Sequence, residues 1–486
     1  MSTPIKILEV GGEAWMSGIS LQPYLNIGGL FREATNFDPF EQIGIYKTSL
    51  VGREWGASTV AVAGLFNVEA NISNTPYFYN FGNDTVYRVK VTGSVSNVQN
   101  MSAHITGMTN MRGAGAYKNK ILYASNDTLK ARPTDISTGS EVTLLSNLET
   151  ANHIMKDGAD QYFYMTNKNH LAKITNVDGT TGNDAQYYTF EDDIVLRDLE
   201  SDGKYLVIAG DNNGSTDLTF RMVSKCFVAF WNMKSQDFSQ YWEFKDSNVI
   251  AIQKIENDIL VFGRNNIYIC NVDSPPQVLM SLMGNSNIVQ PVSGNNTGAV
   301  TSAGDGVVMW GGTDTVYAYG RVHPSLKRIF YKPYSLTTNN VSSLFHTGSF
   351  LFATTDGTFQ ILDFAQGSTR QTSTVSIAGI DFKTKYKLSF VKVILNEALE
   401  SGESVDVLIK TENDTRTILS SNEWQYASDG TNSSHMFYPK QSSSSSSVIA
   451  GLFEDVTKIQ IINKKAAIRR VEVWAEPVGP RQNSGY

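Results

Sequence analysis

One pattern recurs along most of this chain: an apolar run, a tight polar turn and a second apolar run. Its clearest copy is Ile259–Cys270, ILVFGRNNIYIC, where Gly263, Asn265 and Asn266 supply the turn between two strands of a hairpin. Six further copies start at Tyr77 (YFYNFGNDTVYRV), Ile121 (ILYASNDTLKA), Tyr162 (YFYMTNKNHLAKI), Tyr205 (YLVIAGDNNG), Val307 (VVMWGGTDTVYAY) and Phe350 (FLFATTDGTFQIL). The steps from start to start are 44, 41, 43, 54, 48 and 43 residues. A period of roughly 40 to 50 residues suits a unit of about four short strands that cannot bury both faces alone, which is the rhythm of a β-propeller. We therefore expect about seven blades, although a six-bladed ring or a separate small sheet domain also fits the spacing.

Composition agrees with an all-β chain. Tyr (22) and Phe (24) are frequent, charged residues make up only 18%, and no long apolar stripe at helical spacing occurs. A net charge of −7 over 486 residues is too mild for a general nucleic-acid or membrane-surface footprint. The two cysteines, Cys226 and Cys270, sit in apolar strand-like runs and read as buried free thiols rather than a disulfide framework. The N-terminus lacks a basic region followed by an apolar one, and no apolar run is long enough to span a membrane, so we expect synthesis in a cytosol and no membrane anchor. The eight Asn-x-Ser/Thr triplets then follow from an Asn/Ser/Thr-rich chain and not from glycosylation.

Residues 1–50 lack the repeat and read as an extended arm. Gly28 and Gly29 permit unusual backbone conformations, and Asp38-Pro39 reads as a turn. Trp15, Phe31, Phe37 and Phe40 either pack on the chain's own body or serve as aromatic anchors on a neighbouring subunit. Residues 51–372 carry the repeat, with Val60–Ala63, Val249–Ile252 and Val341–Phe345 spaced as inner strands and Gly113–Ala116 suited to a crowded inner edge. The long step after Tyr205 contains the Asp211–Phe220 turn region, CFVAFW and YWEF, which we read as one blade with an enlarged outer hairpin. From 373 to 478 the pattern changes to alternating apolar and polar residues, as in YKLSFVKVIL, SVDVLIK, VTKIQII and AIRRVEVWA, which predicts an antiparallel β-sandwich with one wet face. Residues 479–486 form a polar tail, and QSSSSSS from Gln441 reads as a flexible loop.

No motif carries chemistry, so no catalytic residue, cofactor or metal ligand is expected. The six histidines show no metal-ligand spacing. The Asp211–Asp217 loop has its glycine too early for a calcium loop and lacks the closing Glu, so it reads as a hairpin turn. Thr354–Phe359 is one residue short of an Asp box, and no nucleophile elbow or P-loop occurs. Scattered carboxylates leave room for a glycosidase pair. Lys458, Lys464, Lys465, Arg469 and Arg470 suit either a solvated strand face or an anionic partner.

The arm GGLFREATNFDPFEQIG, the Gly-rich VGREWG that follows it, the long hairpin repeat and the final alternating strands together resemble structural proteins of tailed bacteriophages, in particular tail nozzle or tail-tip propeller proteins. The matching punctuation is Gly28, Gly29, Asn36, Pro39 and Gly44. The resemblance implies a non-enzymatic virion subunit of a nozzle, tail tip or collar, made in the host cytoplasm. It also implies a symmetric homo-oligomeric ring touching other tail or portal proteins; if that ring encloses a channel, genome DNA passes through it. Two other classes stay open: a receptor- or glycan-binding tail protein, favoured by exposed Trp and Tyr with carboxylates at the sandwich, and a propeller glycosidase, favoured by carboxylates converging in the central funnel.

Overall fold

The computed structural model describes residues 3–20, 31–50, 53–54, 66–72, 75–82, 85–90, 102–106, 108–134, 141–212, 225–282, 299–336, 341–347, 350–355, 358–363, 370–377, 386–411, 417–419, 424–426, 431–438 and 456–477. The chain is all-β and divides into two compact units. One comprises Met1–Val51, Tyr317–Ser335 and Ser368–Tyr486, and the other Gly52–Val316 and Leu336–Gly367.

The second unit is a β-propeller. Five four-stranded antiparallel sheets follow one another, with inner strands Phe66–Ile72, Met111–Tyr117, Met155–Asp157, Val195–Ser201 and Val249–Ile255. Val300–Ser302 pairs with Val307–Gly311 in the next repeat, and Val341–His346 starts a further four-stranded sheet. These inner strands touch in order, and Val341–His346 touches Phe66–Ile72, which closes the circle. The outermost strand of the last sheet is Arg53–Glu54, paired with Thr358–Asp363, so an N-terminal segment completes a C-terminal sheet. Such a swap ties the ends of the circle together without a covalent link.

The repeated hairpins supply the second and third strands of their sheets. Their residues are buried on both faces, as in Phe163–Asn167 and Leu206–Asp211, because each sheet is covered by its two neighbours. The inner strands carry small residues where neighbouring sheets converge. A Cβ on Gly113 would lie 2.0 Å from the His153 carbonyl oxygen, and one on Gly115 would lie 2.8 Å from Phe163. Polar side chains staple one sheet to the next. The Asp198 carboxylate accepts from Ile252 N at 2.7 Å, and the Asp211 carboxylate accepts from Val249 N at 3.0 Å while Arg197 grips it through two bonds of 2.9 Å.

Two expectations for this region change. CFVAFW and YWEF are the third and fourth strands of a four-stranded sheet, Cys226–Trp231 and Gln240–Phe244, so the extra length lies between the second and third strands, Leu206–Asp211 and Cys226–Trp231, and not in the outer pair. The inner strand of the first sheet is Phe66–Ile72, and Val60–Ala63 lies outside the described residues.

In the other unit the described strands from Thr372 onward form two antiparallel sheets, and strands of the expected extended arm join both. Ile5–Gly11 pairs with Ile468–Pro477 in a sheet that continues through Tyr386–Leu395 to Ser434–Phe437. Phe31–Thr35 pairs with Thr372–Ile377 in a sheet that continues through Val456–Lys464 and Ser404–Thr411. Alternation decides the buried faces: Val391, Val393, Val471, Val473 and Ala475 are buried on one sheet, and Val405, Val407, Ile409, Ile459 and Ile461 on the other. Ile5–Gly11 and Phe31–Thr35 are therefore structural strands of this unit, because without them both Ile468–Pro477 and Thr372–Ile377 would be left as open edges. The segment 441–446 and the tail 479–486 lie outside the described residues.

Candidate functional site

Of the four aromatic residues that could either pack on the chain's own body or anchor a neighbour, three are committed internally. Trp15, in a short 3-10 turn, is fully buried, as are Phe31 and Phe37. With Tyr46 they form one cluster, Trp15 to Phe31 at 5.8 Å, Trp15 to Tyr46 at 5.1 Å and Phe37 to Tyr46 at 4.9 Å between ring centroids. The cluster bridges the two sheets. Trp15 Nε1 donates to the Arg469 carbonyl at 3.0 Å and Tyr46 N to the Ile468 carbonyl at 2.8 Å, while the Tyr46 hydroxyl meets Ser373 Oγ at 2.8 Å. Phe40 is half-buried and packs edge-on against Tyr331 at 5.3 Å, next to the Asp38-Pro39 turn where Asp38 Oδ1 accepts from Phe40 N at 2.9 Å. Burial pushes the Asp38 carboxyl up to about 6. Gly28 and Gly29 lie outside the described residues.

A row of side chains on the outward face of the sheet built on Ile468–Pro477 makes a different kind of surface. Cross-strand register places Lys6, Trp474 and Phe390 side by side, and Glu9, Glu472 and Lys392 in the adjacent row. The Phe390 and Trp474 rings are nearly parallel, 15° and 5.5 Å apart, and Tyr438 extends the row 5.7 Å beyond Phe390. Tyr438 is 39% exposed and Met436, opposite Lys392, is 40% exposed. The indole Nε1 of Trp474 donates to Glu472 Oε2 at 3.1 Å, and Glu472 is ringed by Arg470 at 3.2 Å and Lys6 at 3.9 Å. Aromatic faces bordered by paired carboxylates and cations suit a ligand that is flat and apolar on one side and rich in hydroxyls at its edge. Alternation in AIRRVEVWA and YKLSFVKVIL was the signal for an outward face, but the pairing that aligns Trp474 with Phe390 was not readable from either strand.

The axis of the propeller holds a cavity of about 490 Å³ lined by residues of every inner strand, among them Glu69, Lys156, Asp198, Gln253 and His346. Its lysine is held by a carboxylate of the neighbouring sheet. Lys156 Nζ lies 3.2 Å from Glu200 Oε1, and Gln253 Nε2 donates to Glu200 Oε2 at 2.8 Å. Burial pulls the Lys156 ammonium down, but Glu200 and Asp198 outweigh it and hold Lys156 above its ordinary value. Burial pushes Asp198 up to about 7 against the Ile252 N–H that it accepts, and pulls His346 down to about 4. The carboxylates here serve as staples between sheets, and Lys156 neutralises the pair on its neighbour.

The remaining candidates are structural. Cys226 and Cys270 are buried free thiols in one apolar cluster with Val228, Val261 and Tyr268, and burial pushes the Cys270 thiol up to about 12. His153 is fully buried, with Nδ1 at 2.7 Å from the Thr166 carbonyl, and burial pulls it down to about 4. Of the basic set, Lys458 pairs with Glu33, Arg470 with Glu9 and Glu472, and Lys464 and Arg469 are exposed. Asp211 is spent on Arg197, and the loop after Asn212 lies outside the described residues, as do Asp356 and Gly357. Among the described residues no group of His, Cys, Asp and Glu is placed to hold a metal ion, and no helix is long and apolar enough to cross a membrane.

No protein-family model matches the chain, and no curated protein matches it in sequence. Solved structures similar to it include two that are described as propellers. The WD40 β-propeller domain of Doa1 is 12% identical with a TM-score of 0.44, covering 65% of this chain and 96% of that one. The computationally designed Ika8 protein is 13% identical with a TM-score of 0.40, covering 65% and 98%, and the Dos1 propeller is 11% identical with a TM-score of 0.41, covering 60% and 77%. The propeller assignment stands on the order of the sheets and the closed circle of inner strands.

Proposed function

We propose that this chain is a non-catalytic binding subunit that recognises a carbohydrate on the outward face of its terminal sheet. The observation that carries the reading is the row Trp474, Phe390 and Tyr438 beside the Glu472 carboxylate. A pyranose presents C–H groups on one face, which stack on an aromatic ring, and hydroxyls at its rim, which Glu9, Lys6 and Lys392 are placed to meet, while the buried Glu472 holds the Trp474 indole in position. The propeller supplies a rigid body. The architectural resemblance to tail nozzle and tail-tip proteins supports a place in a phage tail, where the ligand is a glycan of the host surface. Assembly into a ring through Trp15, Phe31 and Phe37 is not part of this reading, since those rings are spent inside the chain.

The test is a glycan array probed with the labelled full chain, repeated with Trp474→Ala and Phe390→Ala. A set of retained glycans that either substitution abolishes, with unchanged thermal unfolding, supports the proposal. Retention of the same glycans by both variants, or no retained glycan at all, overturns it.

A further inference from the structure

At one mouth of the propeller lies a second cavity of about 480 Å³, lined by Arg112, Thr150 to Asn152, Lys168, Val195 to Arg197, Val249 and Ile250. These positions are the beginnings of four successive inner strands and the segments leading into them, together with a hairpin turn. Three of the lining side chains are cationic and none is a carboxylate, in a chain whose Asp and Glu outnumber its Lys and Arg by 47 to 40. We propose that this mouth is a site for a tetrahedral dianion, a phosphate or sulfate group.

The charge is matched to such a group. Arg197 is neutralised by its bidentate pair with the buried Asp211. Arg112 and Lys168 take part in no ion pair among the described residues, so two positive charges face the cavity without a counter-charge on its wall. Arg112 has one Nη donating weakly to the Glu149 carbonyl at 3.4 Å, which orients a guanidinium that still has further donors to offer a planar pair of oxygens. Lys168 sits at φ 58° in the turn between Phe163–Asn167 and His170–Ile174. That turn is fixed from three sides. Leu196 N donates to the Lys168 carbonyl at 2.8 Å, Asn167 Oδ1 accepts from Glu149 N at 2.8 Å, and Asn169 Nδ2 donates to the Phe190 carbonyl at 3.3 Å. The ammonium is thus carried on a rigid base, and little order has to be created on binding. The axial cavity differs in kind, because its one lysine is already held by Glu200.

The experiment is isothermal titration of the full chain with inorganic phosphate, with sulfate and with a sugar phosphate, at constant ionic strength set by chloride, for the wild type and for Lys168→Met and Arg112→Gln. The proposal expects saturable one-to-one binding of phosphate and sulfate that chloride does not reproduce, weakened about tenfold by either substitution, which is about 1.4 kcal/mol. Tighter binding of the sugar phosphate than of phosphate would identify an ester-borne group as the ligand, and the reverse order a free ion. Both uphold the site. Absence of saturable binding by the wild type overturns the proposal without reference to any variant, as does equal binding by folded Lys168→Met. The glycan reading is independent of this result, since its substitutions lie on another sheet.

Discussion

Replacing Trp15 by alanine tests whether the N-terminal residues belong to the core. The indole is fully buried among Phe31, Phe37 and Tyr46, and its Nε1 holds the Arg469 carbonyl at 3.0 Å. Truncating a buried Trp to Ala costs about 3–5 kcal/mol. Stranding the carbonyl adds roughly 1 kcal/mol, and together the loss is about 5 kcal/mol, comparable with the whole stability of many domains. Trp15→Phe keeps most of the packing and forfeits the hydrogen bond, for about 1–2 kcal/mol. With a urea m-value of about 2.5 kcal/mol per molar, the midpoints fall by about 2 M and about 0.5 M. Because a chain of two units need not unfold in one step, the assay is hydrogen exchange across a urea series, read strand by strand. Ile468–Pro477 and Thr372–Ile377 should lose protection at the lower urea, while Asp258–Gly263 and Asn266–Cys270 in the propeller keep theirs. A loss below about 1 kcal/mol for Trp15→Ala would refute the reasoning and return the arm to the role of an external strap.

Other consequences follow from the same contacts. Deleting residues 1–50 opens the edges of Ile468–Pro477 and Thr372–Ile377, so light scattering should report aggregation rather than a clean folded monomer. Asp198, at about 7 when folded against 3.8 in the reference state, binds its proton more tightly in the native chain. Its contribution to stability is therefore greatest at low pH and falls by up to about 4 kcal/mol as pH rises from 4 to 8. The stability of the wild type minus that of Asp198→Asn should decline over that range in urea titrations, and a flat difference would contradict it. Arg197→Met leaves the Asp211 carboxylate buried without its cation and should cost about 3 kcal/mol at neutral pH, much of it recovered in the double variant with Asp211→Asn, as a denaturation cycle would measure.

What was legible in the sequence is what is local. A hairpin usually writes both strands and its turn into a dozen adjacent residues, so Ile259–Cys270 and its relatives could be found and their period counted, whereas the copy at Tyr205 shows only its first strand locally and pairs with Cys226–Trp231 across a longer connection. Asn126 adopts a left-handed backbone at φ 54° in one of these turns, a conformation that Asn tolerates better than most residues. The tight turn at Lys118 and Asn119, with φ 46° and 58°, links an inner strand to its neighbour by the same chemistry, yet Lys118 gives no such signal and the turn passes unnoticed. The small residues Gly113 and Gly115 reported the crowding of inner strands because a missing Cβ is a property of one position. Pairings across the length of the chain have no such signature. Ile5 lies opposite Ala475 and Phe31 opposite Ile377, and an alternating strand fixes which of its faces is buried but not which distant strand lies beside it. That is why Trp15, Phe31 and Phe37 could be recognised as anchors while what they anchor stayed open: the rings cluster with one another and with Tyr46, and nothing in their composition says whether the strand they hold belongs to a neighbour or, as with the Arg469 carbonyl that Trp15 grips, lies 454 positions away in the same chain. The row of Trp474, Phe390 and Tyr438 follows the same logic in reverse. Its members stand on three segments whose register alone brings the rings together, and only the pairing of Tyr386–Leu395 with Ile468–Pro477 turns scattered aromatics into a continuous surface.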